Sequence, residues 1–166
     1  RLPASRGLRL SGRRQAGASV EHVDDLVRTR DRREAPRVHA ARELLHDVVR
    51  PTPLEVSRWL AGRVGGPVYL KCENLQRAGS FKIRGAYVRL SRLSKSELAS
   101  GVIAASAGNH AQGVALAARL IGTKSTVFMP VGAPLPKVAA TTGYGADVRF
   151  AGATIAHTER APTAIE

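Results

Sequence analysis

From residue 67 to residue 152, short apolar runs alternate with helical stretches, and few folds accommodate that order. PVYLKCEN (67–74) reads as a strand, followed by a turn at 76–79 and a helix from about Phe81 to Leu93. GVIAAS (101–106) is a strand entering a small-residue turn, and an Ala-rich helix runs from about Asn109 to Leu120. STVFMP (125–130) is a third strand, Pro136 to Thr142 a helix opened by prolines, and ADVRFAG (146–152) a fourth strand. Strands that are apolar on both faces, separated by helices, indicate βαβ units and an α/β fold with a parallel sheet. Open parallel sheets do their chemistry at the carboxyl ends of strands. That directs attention to residues 72–85 and 104–113.

The region before this alternation is different. Residues 1–19 hold five Arg and no acid, show no apolar period, and read as a disordered basic extension. An Arg-rich, acid-poor start resembles an organelle transit peptide, but position 1 is Arg, so an upstream or mistranslated extension is preferred. With no secretory h-region, the expected location is cytoplasmic. Val20, Val23, Leu26 and Val27 form one helical stripe, with Ser19 as N-cap. Val38, Ala41, Leu44, Leu45, Val48 and Val49 form another, with Pro36 between them and Pro51-Thr52-Pro53 ending the second. His39 and His46 belong on solvated helix faces.

Composition narrows the function classes. Hydrophobic residues make up 43% of the chain and aromatics 4%, so the core must be aliphatic. No apolar run approaches the ~20 residues of a spanning helix. The single cysteine, Cys72, excludes an internal disulfide and a cysteine-cluster zinc site. The net charge of +13 invites a nucleic-acid reading, but the excess is spread along the chain with no run of five like charges. With so few aromatics for base stacking, neither a nucleic acid nor a membrane is the expected partner.

Two segments can carry chemistry. In GSFKIRG (79–85), Lys82 lies just inside a helix start, where the positive end of the helix dipole disfavours an ammonium. Apolar Phe81 and Ile83 reinforce that bias. A neutral amine is the form that attacks a carbonyl, which suits a Schiff-base lysine. The plainer reading is a surface lysine snorkelling from a helix. In ASAGNHAQG (105–113), a strand end, a small turn and a helix N-terminus follow one another. Exposed N–H groups there bind an anion such as a carboxylate, with Ser106 and Asn109 adding polar groups. The turn is neither a Walker loop nor a dinucleotide fingerprint. Gly113 could serve only close helix–sheet packing, and His110 is more naturally a capping group than an acid or base.

An amine and a carboxylate cradle on neighbouring strand ends suit amino-acid chemistry through an aldehyde cofactor. Tyr69 through Asp147 closely resembles the serine/threonine dehydratases of the fold type II pyridoxal-phosphate family, also called tryptophan synthase β-like. The stretches that carry the resemblance are KCENLQRAGSFKIRGAY (71–87), IAASAGNHAQGVALAA (103–118) and MPVGAPLPKVAATTGYGADV (129–148), with VVRPTPLE (48–55) upstream. Glu73-Asn74-Leu75-Gln76 and Gly79 look more like the short catabolic-type enzymes than the biosynthetic ones.

The resemblance implies pyridoxal 5'-phosphate as cofactor. Lys82 would bond to it covalently and later move the substrate α-proton. Phe81 would pack on its ring, and Asn109 would hydrogen-bond its 3' oxygen. Ser106, Ala107, Gly108, Asn109 and His110 would hold the substrate carboxylate. The implied reaction is loss of water from L-threonine or L-serine, giving 2-oxobutanoate or pyruvate and ammonia. Complete enzymes of the family would be homo-oligomers.

The resemblance also implies an incomplete fold. Residues 20–84 would be N-terminal helices and the first strand of a larger cofactor domain, 85–152 a small βαβ domain, and 153–166 a truncated tail. The glycine-rich phosphate loop lies beyond residue 166 in the family, and HTERAPTAIE (157–166) lacks the expected helical continuation. The chain is thus expected to bind the cofactor weakly, to be nearly inactive alone, and to expose apolar stripes over 20–60. Two alternatives are a non-catalytic remnant or interaction module, and a serine racemase-type activity on the same scaffold.

Overall fold

The computed structural model describes residues 36–158. The first predicted helical stripe, the basic extension and the end of the tail lie outside these residues. The chain divides into two compact units. Of the first, ending at Ala40, residues 36–40 are described and are helical, Pro36 included. The second, from Ala41, carries everything else below.

Residues 41–44 are helical and pass into turns in which Leu45 and Val48 are buried and Leu44 is exposed. Two short strands follow, β1 (Leu54–Val56) and β2 (Tyr69–Lys71), paired antiparallel. Bonds from Ser57 N–H to Val68 O and from Cys72 N–H to Pro53 O extend the pairing at both ends. Helix α1 (Arg58–Val64) lies between them. The Ser57 hydroxyl caps its start by accepting from Leu60 N–H, and Gly65 closes it in the left-handed conformation at φ 74°.

This corrects the reading of PVYLKCEN. The strand is real, but it is shorter and belongs to a separate two-stranded antiparallel sheet. Its partner β1 has three residues behind a proline, too few to show an alternating pattern.

Beyond β2 come two 3₁₀ turns, Glu73–Leu75 and Arg77–Gly79, then α2 (Lys82–Leu90) and α3 (Lys95–Ser100). Helix α3, absent from the sequence reading, begins with a capping box in which Ser94 and Glu97 each bond the other's backbone N–H. The three remaining strands, β3 (Val102–Ala105), β4 (Ser125–Met129) and β5 (Asp147–Phe150), form the expected parallel sheet in that order. Helix α4 (Asn109–Ile121) joins β3 to β4, and α5 (Leu135–Gly143) joins β4 to β5.

Among the described strands of this sheet, the central one is covered on both faces: Val127 and Met129 are buried on one and Phe128 on the other. On the flanking strands Ile103 and Phe150 remain exposed. Helix α4 is the hub, with eight consecutive buried residues from Ala111 to Ala118. One face meets Ile83, Ala86 and Leu90 of α2, and the other meets Val127 and Met129 of the sheet. A small-residue helix makes this possible, because Ala and Gly let neighbours approach on all sides.

The tail differs from expectation at its start. Ile155–Thr158 form one helical turn, α6. Buried Thr158 fixes it by donating its hydroxyl to Ala151 O and Thr154 O.

Candidate active site

The backbone leading into Lys82 is unusual. Ala78 and Gly79 both have positive φ, 61° and 64°, and Ser80 is fully extended. A left-handed alanine costs roughly 1–2 kcal/mol, so the surroundings must enforce it. Buried Gln76 does much of this. Its Oε1 accepts from Arg50 N–H and Arg77 N–H, both at 2.9 Å, and its Nε2 donates to Arg50 O at 2.8 Å. The reversal delivers Phe81 as the residue that caps α2 and Lys82 as its first helical residue. Lys82 N–H donates to the hydroxyl of buried Ser80 at 3.4 Å.

A second lock holds the other end of this turn. Arg84 donates through Nε and Nη2 to the two carboxylate oxygens of Glu73, each at 2.8 Å. Thr52 Oγ1 donates to Glu73 Oε1 at 2.6 Å, and Lys71 Nζ donates to Thr52 O at 2.6 Å. The Arg84 guanidinium holds the Glu73 carboxyl far below its ordinary range, at about 2; partial burial opposes this, and Thr52 and Lys71 assist it. The 50–53 segment, the 3₁₀ turns and α2 are thereby one bonded assembly with Lys82 at its tip.

The predicted anion turn stands at the carboxyl end of β3. Ser106 N–H donates to Phe128 O, one bond past the strand, and the Ser106 hydroxyl accepts from Gly108 N–H at 3.3 Å. Gly108 begins the 13-residue helix α4 with no side-chain cap. The first-turn N–H groups therefore remain as donors at the positive end of the helix. Ser106, Ala107 and Gly108 are half-buried, while Asn109 and His110 are exposed.

The structure brings the two segments together. A Cβ on Gly113 would lie 3.1 Å from both the carbonyl carbon and the Cβ of Lys82. The close packing at Gly113 is therefore helix on helix, with α2 seated on α4 at the lysine itself. His110 senses the same neighbour: partial desolvation of its ring by the surrounding chain, and then the positive charge of Lys82, hold its pKa below the ordinary value. Phe81 is 57% exposed, and Lys82 Nζ lies 4.9 Å from its ring centroid. The site is thus an amine beside an open aromatic face, with main-chain donors one helix away. Among the described residues no group of acidic, His or Cys side chains could hold a metal ion.

The family profile described as pyridoxal-phosphate dependent enzyme matches residues 45–166, most of the chain. The chain belongs to the pyridoxal-phosphate dependent enzyme family. An L-threo-3-hydroxyaspartate ammonia-lyase from a Pseudomonas species is 53% identical over 110 residues, covering 66% of this chain and 34% of the relative. An L-threonine ammonia-lyase from Thermotoga maritima is 51% identical over 115 residues, 69% of this chain and 29% of the relative. Among solved structures, maize serine racemase superimposes with a TM-score of 0.71 at 35% identity, covering 76% of this chain and 39% of that one.

The chain spans about a third of the length of these relatives. The fold type II reading is confirmed at that scale: a partial α/β domain with its parallel sheet, from a pyridoxal-phosphate enzyme. The family match runs through the tail to residue 166, beyond 129–148, the last stretch that carries the resemblance in the sequence. Sequence reasoning assigned no individual role to Glu73, Arg84, Gln76 or Lys137. The signal for the first two was an acid and a base eleven positions apart, flanking the turn to be closed.

Proposed function

We propose that this chain supplies the lysine-bearing part of a pyridoxal-phosphate dependent ammonia-lyase acting on L-threonine or L-serine. The observation that carries this is the contact of α2 with α4 at Gly113, which sets Lys82 beside the uncapped N-terminus at 106–110. An amine, an aromatic plate, an amide and main-chain N–H donors at a helix start fit an aldehyde-bearing aromatic ring together with an amino-acid carboxylate. When bound, the cofactor supplies an electron sink for the bonds at the substrate Cα.

Each residue would then have a task. Lys82 Nζ would hold the cofactor through its aldehyde carbon and, as a free amine, would take the proton from the substrate Cα. Phe81 would cover one face of the ring, and Asn109 would donate to its 3' oxygen. The N–H groups from Ala107 to His110 and the Ser106 hydroxyl bind the substrate carboxylate. The α-proton held on Lys82 and the β-hydroxyl would together leave as water, after which the released enamine would be hydrolysed to a 2-oxo acid and ammonia. Holding the carboxylate by main-chain dipoles suits a site next to a lysine, since it adds no formal charge. The names of two curated relatives, both ammonia-lyases of 3-hydroxy amino acids, support this substrate class. The complete protein would act in the cytoplasm as a homo-oligomer. Among the described residues no helix is long and apolar enough to cross a membrane.

The test is a chimera in which residues 45–158 replace the matching segment of the Thermotoga enzyme. It should release ammonia from L-threonine or L-serine, and Lys82→Ala in the same chimera should lower that release by several orders of magnitude. Ammonia release undiminished by Lys82→Ala would refute the assignment. The likeness to maize serine racemase favours a second reading, racemisation, which inverts Cα and keeps the β-hydroxyl. Formation of D-serine without 2-oxo acid would select it.

A further inference from the structure

Asn109 opens α4 at the mouth of the site, and its amide has two opposite ends, an acceptor oxygen and a donor nitrogen. Which end faces a ligand decides what the residue can bind. Lys137 settles this choice. Its Nζ donates to Asn109 Oδ1 at 2.5 Å, across 28 positions of sequence. An ammonium has no acceptor, so the amide must turn its oxygen to Lys137. Both Nδ2 hydrogens are left for the site.

Lys137 is an unexpected residue for its place. It lies in the first turn of α5, behind Pro134 as N-cap, where no acid is present and the helix dipole favours one. Its backbone is firmly set: Lys137 O accepts from the hydroxyl of fully buried Thr141 at 2.8 Å. Among the described residues no other side chain bonds the Asn109 amide. Helix design alone disfavours this lysine, and its contact with Asn109 supplies a reason for it.

We propose that Lys137 is a positioning residue: it locks the Asn109 amide with its nitrogen toward the cofactor ring oxygen. The inference rests on the proposed function, since it needs a ligand with an acceptor at that point. A deprotonated ring hydroxyl is such an acceptor. A flipped amide would set two lone-pair oxygens against each other. The ammonium also polarises the amide, which strengthens its N–H groups as donors.

The test uses the whole chain labelled with ¹⁵N. The Asn109 side-chain amide pair is identified by its disappearance in Asn109→Ser. Lys137→Met keeps the stem and removes the ammonium; it should move that pair while leaving the melting temperature unchanged. Lys137→Arg, which still donates, should restore it. An Asn109 pair that ignores Lys137→Met would overturn the proposal, with or without cofactor.

Pyridoxal phosphate is then added. The Asn109 pair should shift in the native chain, and Lys137→Met should need about three to ten times more cofactor for equal Lys82 labelling. Borohydride trapping followed by peptide mass analysis reads Lys82 separately. Trapping at Lys82 without movement of Asn109 defeats the role of Lys137 and spares the proposed function. No trapping at Lys82 defeats both.

Discussion

Glu73 shows what one side chain does for the site. Its carboxylate accepts two bonds from Arg84 and one from Thr52, so it is charged and partnered in the folded chain down to about pH 2. The unfolded chain binds a proton nearer the ordinary value of 4.5. The folded pKa is the lower one, so the stabilisation is present above about 4.5 and is lost as pH falls towards 2. Glu73→Gln should therefore destabilise the chain at neutral pH by about 2 kcal/mol, because Arg84 loses its charged partner. It should also flatten the fall in melting temperature between pH 4.5 and 2. An acid limb unchanged in Glu73→Gln would show that another carboxylate controls it.

His110 gives a smaller effect of the same sign. Its folded pKa lies below the ordinary 6.5, so folding loses stability as pH falls through that value. At this scale the sequence points to candidate chemistry and says little about what supports it. Lys82 and Asn109 stand out because their residue types do rare things. Gln76 and Lys137 act through partners 26 and 28 positions away, and spacing carries no trace of those bonds.

Elements obey the same division. The strands and helices from 101 to 150 were legible because each is a run of one periodicity bounded by Gly or Pro. Helix α1 was missed although Ser57 and Gly65 mark its ends, because none of its residues is buried and no apolar stripe announces it. The antiparallel pairing of β2 was hidden because three-residue β1 cannot reveal its period.

Two glycines test how α2 is seated. A Cβ added at Gly85 would meet nothing within 4 Å, whereas one added at Gly113 would meet the backbone of Lys82 at 3.1 Å. Gly85→Ala should stabilise the chain by about 0.5–1 kcal/mol through helix propensity. Gly113→Ala gains the same term and loses about 1–3 kcal/mol to overpacking, so it should melt lower and displace Lys82. Thermal unfolding of both variants checks this. Equal gains in the two would mean that α2 does not rest on α4 at that point.

At the scale of the whole molecule, the second unit has a buried centre and an unfinished periphery. Val127, Met129 and Ile83 are sealed, yet Leu54, Val56, Trp59, Val64 and Tyr69 are each more than half exposed. The sequence predicts exposed apolar stripes over 20–60; residues 20–35 lie outside the described residues, Leu45 and Val48 are buried, and Val38, Leu44, Leu54, Val56 and Trp59 are exposed. Trp59 is the chain's one tryptophan and 67% exposed, with Arg63 stacked 4.4 Å from its ring centroid. Its fluorescence should be solvent-like and readily quenched by iodide in dilute solution, and should shift to the blue as concentration rises and apolar faces meet. Emission that is blue and protected at every dilution would contradict this exposure.

On the proposed function the fold singles out Lys82 from the five lysines, Lys71, Lys82, Lys95, Lys124 and Lys137, for reaction with an aldehyde. The direct measurement is limited treatment of the chain with pyridoxal phosphate, reduction with borohydride, and quantification of the modified peptides. Label concentrated on Lys82, lost on unfolding in urea, is the predicted result. Label spread evenly over the five, or Lys82 passed over, would contradict the account.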